Sequence, residues 1–465
     1  MSAPLIWIVI PLVLTGLLWL LHRQPKRAAL AMLIICLVLV ILAATLPIGS
    51  FIKVGRTTFE LPTTLTLFGR RLVLEASDRI WLMLVYGLGA AWSLGIVQSR
   101  VHRSFTPLSL LMIVLLVAAR AVEPFLYAAL LVAVAVLASL PLMLPPDARP
   151  GRGIMRYLIF QMLAVPFILL AGWAASVVDA NPSNEVLRLV ASASLGLGLA
   201  FWLAVFPFYT WVPLLAGEAH PFAAGFVLSL LTTTALFLGL DFFNGFGWLR
   251  NSDLILTALR LVGVLMVVTG GIWAAFQEDL TRLFGYAIIV DLGAALLSIS
   301  LHSEVGLAVF SAGLIPRLLS LFIWALALAF LRARQIPLTF TGVAGLGRRL
   351  PILSAALALA CLSLGGLPLL AVFPARQVLL VELASQSSIA AAWALAGSFG
   401  LLLGGFRLLN VLLKRTEPGW QVTENLSEGL LLSAGIIILL LIGIFPGGIL
   451  GSLPDTLPLA FPNLP

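Results

Sequence analysis

Only three lysines occur among the 27 basic residues of this 465-residue chain: Lys26, Lys53 and Lys414. All three fall outside its long apolar runs, so no lysine is placed to carry a proton through an apolar interior. Cysteine is as scarce. Cys36 and Cys361 stand alone, each inside an apolar run, and read as small packing residues. Their isolation excludes a C-x-x-C redox pair, a haem-attachment signature and an iron–sulfur ligand set. No glycine-rich loop stands between a strand and a helix, which excludes the common nucleotide fingerprints. Charge is thin throughout, with 10% of residues charged. The net charge of +8 is dispersed over short loops, which argues against a nucleic-acid surface.

What is present is apolar. Hydrophobic residues make up 61% of the chain and the mean hydropathy is +1.13. A spanning helix needs about 20 apolar residues, and about fourteen such segments can be placed. They lie near 4–21, 28–47, 79–98, 106–122, 124–144, 154–178, 187–207, 221–243, 254–275, 283–301, 305–331, 350–371, 388–412 and 429–449. The expected fold is one all-α polytopic membrane domain over 1–465. No charge precedes His22, so the first span lacks the basic lead of a cleaved signal peptide.

Loop charges set the orientation. Arg23, Lys26 and Arg27 follow span one; Arg100 and Arg103 follow span three; Arg149, Arg152 and Arg156 follow span five. Arg332, Arg334, Arg348 and Arg349 follow span eleven, and Lys414 and Arg415 follow span thirteen. Positive loops stay in the cytoplasm, so both termini are expected outside the cell membrane. The longer loop at 48–78 departs from this rule, with Lys53, Arg56, Arg70 and Arg71. Its alternating LTLFGRRLVLE predicts an external β-hairpin turning near Gly69.

The most informative stretch is 201–221, FWLAVFPFYTWVPLLAGEAHP. Pro207 and Pro213 interrupt an apolar run, with Tyr209, Thr210, Glu218 and His220 around the break. A broken helix survives in a bilayer only where protein or a wet cavity satisfies its backbone. A counterpart stands at 365–376, GGLPLLAVFPAR, with Pro368 and Pro374. Paired interruptions in two halves are a sign of an inverted-repeat transporter. The bland account is that prolines are simply common in a chain that has 27 of them.

Four segments in order carry a family resemblance. FPFYTWVP resembles a P-x-H-T-W-L-P segment, with Tyr209 where histidine is common; EDLTRLFGYAIIVDLG at 278–293 resembles a D-L-K-R-L-L-A-Y-S-S-I segment. SAGLIPRLLSLFI at 311–323 is similar to H-A-x-F-K-A-x-L-F-L, and GGLPLLAVFPAR to G-x-P-x-x-x-G-F-x-x-K. These segments belong to the antiporter-like membrane subunits of respiratory complex I, of multisubunit sodium/proton antiporters and of membrane-bound hydrogenases. The chain resembles a divergent member over roughly 75–450. The length is similar to the shorter M-, N- or D-type chains, without the extra spans and lateral helix of the longest members. The resemblance implies fourteen spans, helices 7 and 12 broken, and two inverted five-helix repeats. These are taken as 106–243 and 254–412, after N-terminal spans and hairpin at 1–105 and before a last span and tail at 413–465. It also implies sister membrane subunits within a complex that oxidises a soluble donor such as NADH and reduces quinone elsewhere, with no cofactor on this chain.

The departures concern the relay that the resemblance implies. The expected glutamate of span five falls near Leu131 or Val132, with Glu123 only at the edge. The lysine position of span seven is Trp202, and span eight offers Thr232, Thr233 and Thr234. The lysine positions of spans eleven and twelve hold Arg317 and Arg376. A buried lysine can be tuned to release its proton, whereas arginine keeps its own, with a pKa above roughly 12. Complete pumping by the familiar route is therefore not expected.

The remaining ionisable residues each carry two readings. Asp291 in span ten and Arg317 in span eleven form a buried ion pair or share an internal water file, as a residual ion path or a structural tie. Glu218 and His220 mark the entrance of a half-channel or an exposed interfacial loop. Asp241 reads as an ordinary interface residue; Glu278, Asp279 and Arg282 read as solvated loop charges. Two other classes stay open: a stand-alone secondary transporter, and a polytopic transferase on lipid-linked substrates. The first lacks convergent polar groups at the breaks, and the second lacks an acidic pair on a large external loop.

Overall fold

The computed structural model describes residues 2–49, 51–54, 57–67, 69–144, 149–180, 184–301, 303–415, 422–449 and 461. Arg56 and the Pro-rich tail, apart from Phe461, lie outside these residues. Among the described residues the chain is nearly all helix. A short π-turn at Leu5–Val9 leads into α1 (Ile10–Leu21), then α2 (Pro25–Thr45), α3 (Arg79–Ser99), α4 (Phe105–Ala121) and α5 (Ala128–Met143). Next come α6 (Arg152–Ala180), α7 (Glu185–Trp202), α8 (Trp211–Glu218), α9 (Pro221–Gly245), the short α10 (Gly247–Arg250) and α11 (Asp253–Phe276). The chain continues with α12 (Leu280–Ser300), α13 (Glu304–Ala333), α14 (Pro351–Gly365), α15 (Phe373–Gln386), α16 (Ser388–Leu412), α17 (Leu426–Ile444) and α18 (Pro446–Ile449). Eleven helical segments are long and apolar enough to cross a bilayer; Leu5–Leu21, Phe105–Ala121 and Pro351–Gly365 are shorter apolar helices. This is a multi-pass membrane protein.

Local chemistry starts these helices where the sequence allows. Pro25, Pro221 and Pro351 each open a helix, where a missing N–H loses nothing. Asn184, Asp279, Ser303 and Ser387 cap α7, α12, α13 and α16 through side-chain acceptors. Asp279 is therefore a cap rather than a free loop charge.

Both predicted interruptions are present, and they end their first halves alike. Ala204 takes a left-handed φ of 54°, and the Val205 amide donates back to the Ala200 carbonyl at 2.9 Å. Gly366 takes φ 81°, and the Leu367 amide donates to the Leu362 carbonyl at 3.0 Å. Each is the reverse hydrogen bond that closes a helix C-terminus around a left-handed residue. Pro207 and Pro368 lie in the non-helical links, while Pro213 and Pro374 fall in the first turns of α8 and α15. The expected span 187–207 thus stops at Trp202, and 350–371 stops at Gly365, because the chain turns before its prolines.

The interior is built on α9, buried along its whole spanning window, with α12 and α13 beside it. Trp92 of α3 packs on Phe222 and Phe226 of α9 and Phe322 of α13, with ring centroids 4.9–6.3 Å apart. In lipid such contacts hold helices by close packing rather than by escape from water. The tightest approach joins α11 to α16. A Cβ placed on Gly271 would lie 2.0 Å from the Gly397 carbonyl oxygen, so only glycine fits.

Outside the helices, β3 (Thr64–Leu67) and β4 (Arg70–Val73) pair antiparallel with Leu67 opposite Arg70. Gly69, at φ 73°, supplies the turn of the predicted hairpin. The sequence reading missed two additions. The strand β1 (Phe51–Val54) pairs with β2 (Thr57–Glu60), and β5 (Val122–Glu123) joins β4. Glu123 thus belongs to this sheet, with its carboxylate 3.8 Å from Arg71.

Candidate functional site

The cluster gathers around the second break. Asp291 projects from the middle of α12, Arg317 from α13 just after Pro316, and Arg376 from the first turn of α15. Arg317 Nε stands 2.6 Å from Asp291 Oδ2, and Arg376 Nη2 stands 3.6 Å from Asp291 Oδ1. All three residues are at most 7% exposed. Arg317 Nη2 also donates to Thr232 Oγ1 on α9 at 2.7 Å. The cluster therefore ties four helices together. Its ion contacts lack hydrogen-bond alignment, since Arg317 Nε and Nη1 and Arg376 Nη2 have no acceptor. A cavity of about 40 Å³ lies against all three residues.

Asp291 and Arg317 were paired by sequence reasoning; Arg376 and Thr232 were not joined to them. A threonine in a helix usually bonds its own backbone, as Thr232, Thr233 and Thr234 all do, so no periodicity marks Thr232 as an acceptor. Arg376 reaches the cluster from beyond the non-helical link at 366–372, whose path the sequence does not encode legibly.

The first break carries no charge. Trp202 is buried with its indole N–H unpartnered, and its carbonyl accepts from Gln161 Nε2 of α6 at 3.5 Å. Val132 is buried and apolar where a relay glutamate was sought. The buried Tyr157 and Ser139 hydroxyls share a hydrogen bond at 2.8 Å. The polar groups around Trp202 and Val132 are thus neutral ones.

Glu218 and His220 sit at the cytoplasm-facing end of the predicted orientation. Glu218 accepts from the Gly153 amide at 2.8 Å and the Ile154 amide at 3.1 Å, capping α6. His220 lies in the link before α9. With Glu218, Arg100, His102, Arg149 and Arg332 it lines a cavity of about 510 Å³. Burial, reinforced by the Arg332 charge, pushes the imidazole down to about 4, so it is neutral at ordinary pH. Glu218 is exposed at the last position of α8, and His220 is part-buried in the link after it.

A second buried charge group was missed. Arg120, near the end of α4, makes a bidentate contact to Asp241 of α9 at 3.0 and 3.1 Å. It also reaches Asp78 at 3.1 Å, while Phe237 and Phe461 lie over its guanidinium at 5.4 and 5.5 Å. Asp241 is thus not an ordinary interface residue. The available signal was a lone arginine and a lone aspartate at matching ends of two apolar runs.

Two broken helices, the second of them beside a buried charge cluster, in a multi-pass helical scaffold, define an antiporter-like membrane subunit. The family described as NADH:quinone oxidoreductase/Mrp antiporter, transmembrane, matches residues 154–404, and the chain belongs to it. It is similar to NADH-quinone oxidoreductase subunit N 2 of Acidobacterium capsulatum, 31% identical over 53% of this chain and 52% of that protein. The chain thus spans about half the length of that relative. It is also similar to NADH-quinone oxidoreductase subunit 14 of Thermus thermophilus, 28% identical over 79% of this chain and 83% of that one. A chain of the Mrp complex from Dietzia sp. shares the fold at a TM-score of 0.82 and 16% identity, over 98% of this chain and 97% of that one.

Proposed function

We propose that this chain is an antiporter-like membrane subunit of a proton-translocating NADH:quinone oxidoreductase-type complex. There it contributes to or scaffolds ion translocation without the usual lysine relay. The observation that carries this reading is the buried Asp291–Arg317–Arg376 cluster at the second break, set against an uncharged first break at Trp202. Guanidinium groups hold charge and order neighbours, but they do not pass on their protons. That chemistry favours the scaffold over the pump.

In this reading the eleven long and three shorter apolar helices are fourteen spans. Residues 106–243 and 254–412 are two inverted repeats, flanked by 1–105 and 413–465. The chain lies in the cytoplasmic membrane with both termini outside and binds no cofactor of its own. Sister subunits cover lipid-depth apolar side chains such as Trp393, Leu395 and Phe399. The Glu218 and His220 cavity is a candidate inner vestibule.

A second reading is a subunit of a multisubunit sodium/proton antiporter or a membrane-bound hydrogenase; the breadth of the family description favours keeping it. A stand-alone transporter fits less well, since the larger cavity at the second break, about 590 Å³, is lined mostly by apolar residues, with only Arg376, Gln377 and Ser398 polar. Purification in mild detergent with identification of co-purifying chains separates these. Oxidoreductase-type partners support the first reading, antiporter-type partners the second, and a lone monomer defeats both. Proton uptake into proteoliposomes then separates pump from scaffold: Asp291→Asn leaves a scaffold's flux unchanged and abolishes a pump's.

A further inference from the structure

Charge at the second break is unbalanced. Two guanidinium groups meet one carboxylate, and among the described residues no second carboxylate pairs with Arg317 or Arg376. Arginine stays protonated, so one unit of positive charge stands at the buried centre of the helices. Buried charges persist when they are paired and hydrogen-bonded, and neutralisation is closed to a guanidinium. One positive charge of the cluster therefore has no carboxylate partner among the described residues.

The structure has a place for an anionic partner. Arg317 Nη1 and Arg376 Nη2 are buried donors without acceptors. The cavity of about 40 Å³ is bounded by both arginines and Asp291, with Phe310, Leu314 and Val372 among its apolar walls. Its size suits a small, dehydrated ion better than sulfate or phosphate with their hydration. The first turns of α15 form one wall, and the start of a helix carries positive partial charge. Two donors without hydrogen-bond acceptors, a net positive charge and a helix start therefore lie around one small space.

We propose that this cavity binds a single monovalent anion of halide size, chloride in the cell, between Arg317 and Arg376. The bound anion completes the charge balance that Asp291 leaves open. This inference rests on the cluster alone and is independent of which complex the chain joins and of whether it moves protons.

The test uses the full-length chain in detergent with radiolabelled chloride, ionic strength being held with sodium gluconate. Saturable one-to-one binding is expected, displaced by bromide and not by sulfate. Arg376→Gln removes the excess charge and abolishes binding, while Arg376→Lys retains it. Asp291→Asn removes the competing carboxylate and tightens binding at least about tenfold, the direction opposite to that of general damage to the site. Chloride also raises the melting temperature of the wild type over gluconate, by mass action. An absence of saturable binding to the wild type overturns the proposal. Undiminished binding to a folded Arg376→Gln, or unchanged affinity in Asp291→Asn, places the anion elsewhere and overturns it too. Should Arg376→Gln fail to fold, the wild-type and Asp291→Asn measurements decide the question.

Discussion

Asp291 is the sole carboxylate paired with two buried arginines among the described residues, so its loss is more disruptive than that of a surface acid. Asp291→Ala, in buffer without small anions, is expected to lower stability by about 3–5 kcal/mol, the penalty for stranding a buried charge. A thermal melt of the purified chain checks this, and a loss no greater than that of an exposed Glu304→Ala control refutes it. His220 gives the acid limb. Its imidazole titrates near 6.5 when unfolded and near about 4 in the fold, so folding opposes its protonation. The associated stability is complete above about 6.5 and is lost as pH falls toward about 4. His220→Asn should flatten that part of the melting-temperature profile; an unchanged slope sinks the assignment. At this scale the sequence was legible where an ionisable residue stood alone in an apolar run, as Asp291 and Arg317 do. It was not legible where the partner was a common residue type, as Thr232 is, or lay far away in the chain, as Asp78 and Asp241 lie from Arg120.

Among the elements, the interrupted helices were the most readable, because proline leaves few alternatives in a bilayer. Their geometry was less so. Each helix stops at a left-handed residue ahead of its first proline, Ala204 in one case and Gly366 in the other. Alanine is strained in that conformation and glycine is not, by about 1–2 kcal/mol. Ala204→Gly is therefore expected to stabilise the protein by up to about 1 kcal/mol, after the added flexibility of the unfolded chain is subtracted. Gly366→Ala is expected to destabilise it by about 1 kcal/mol; its Cβ would meet Arg376 Cγ at an ordinary 3.4 Å, leaving backbone strain as the cause. Denaturation melts of both variants check the pair, and shifts of the same sign would disprove the shared geometry. The Gly69 hairpin was readable from strict alternation, whereas β1–β2 and β5 are too short to announce themselves.

For the whole molecule, the arginine-rich loops predict which side faces the cell. Cys36 and Cys361 are fully buried, so the native chain should not react with a membrane-impermeant thiol reagent. Against that silent background, Asn251→Cys should label in intact cells and Arg23→Cys only after permeabilisation. Labelling in the reverse order overturns the orientation. A nearly all-helical, multi-pass chain was within reach of hydropathy; which helices lie inside was not, because a run buried on all sides and one facing lipid are equally apolar. α9 and α2 illustrate this, the first wholly interior and the second mostly peripheral.

The contact of α11 with α16 has a consequence for how this protein can change over generations. A methyl group at Gly271 collides with the main chain at Gly397, and one at Gly397 collides with the main chain at Val267. No second-site replacement can trim a backbone atom. These positions therefore have no local suppressors, and a lineage can leave glycine there only by respacing two entire helices at once.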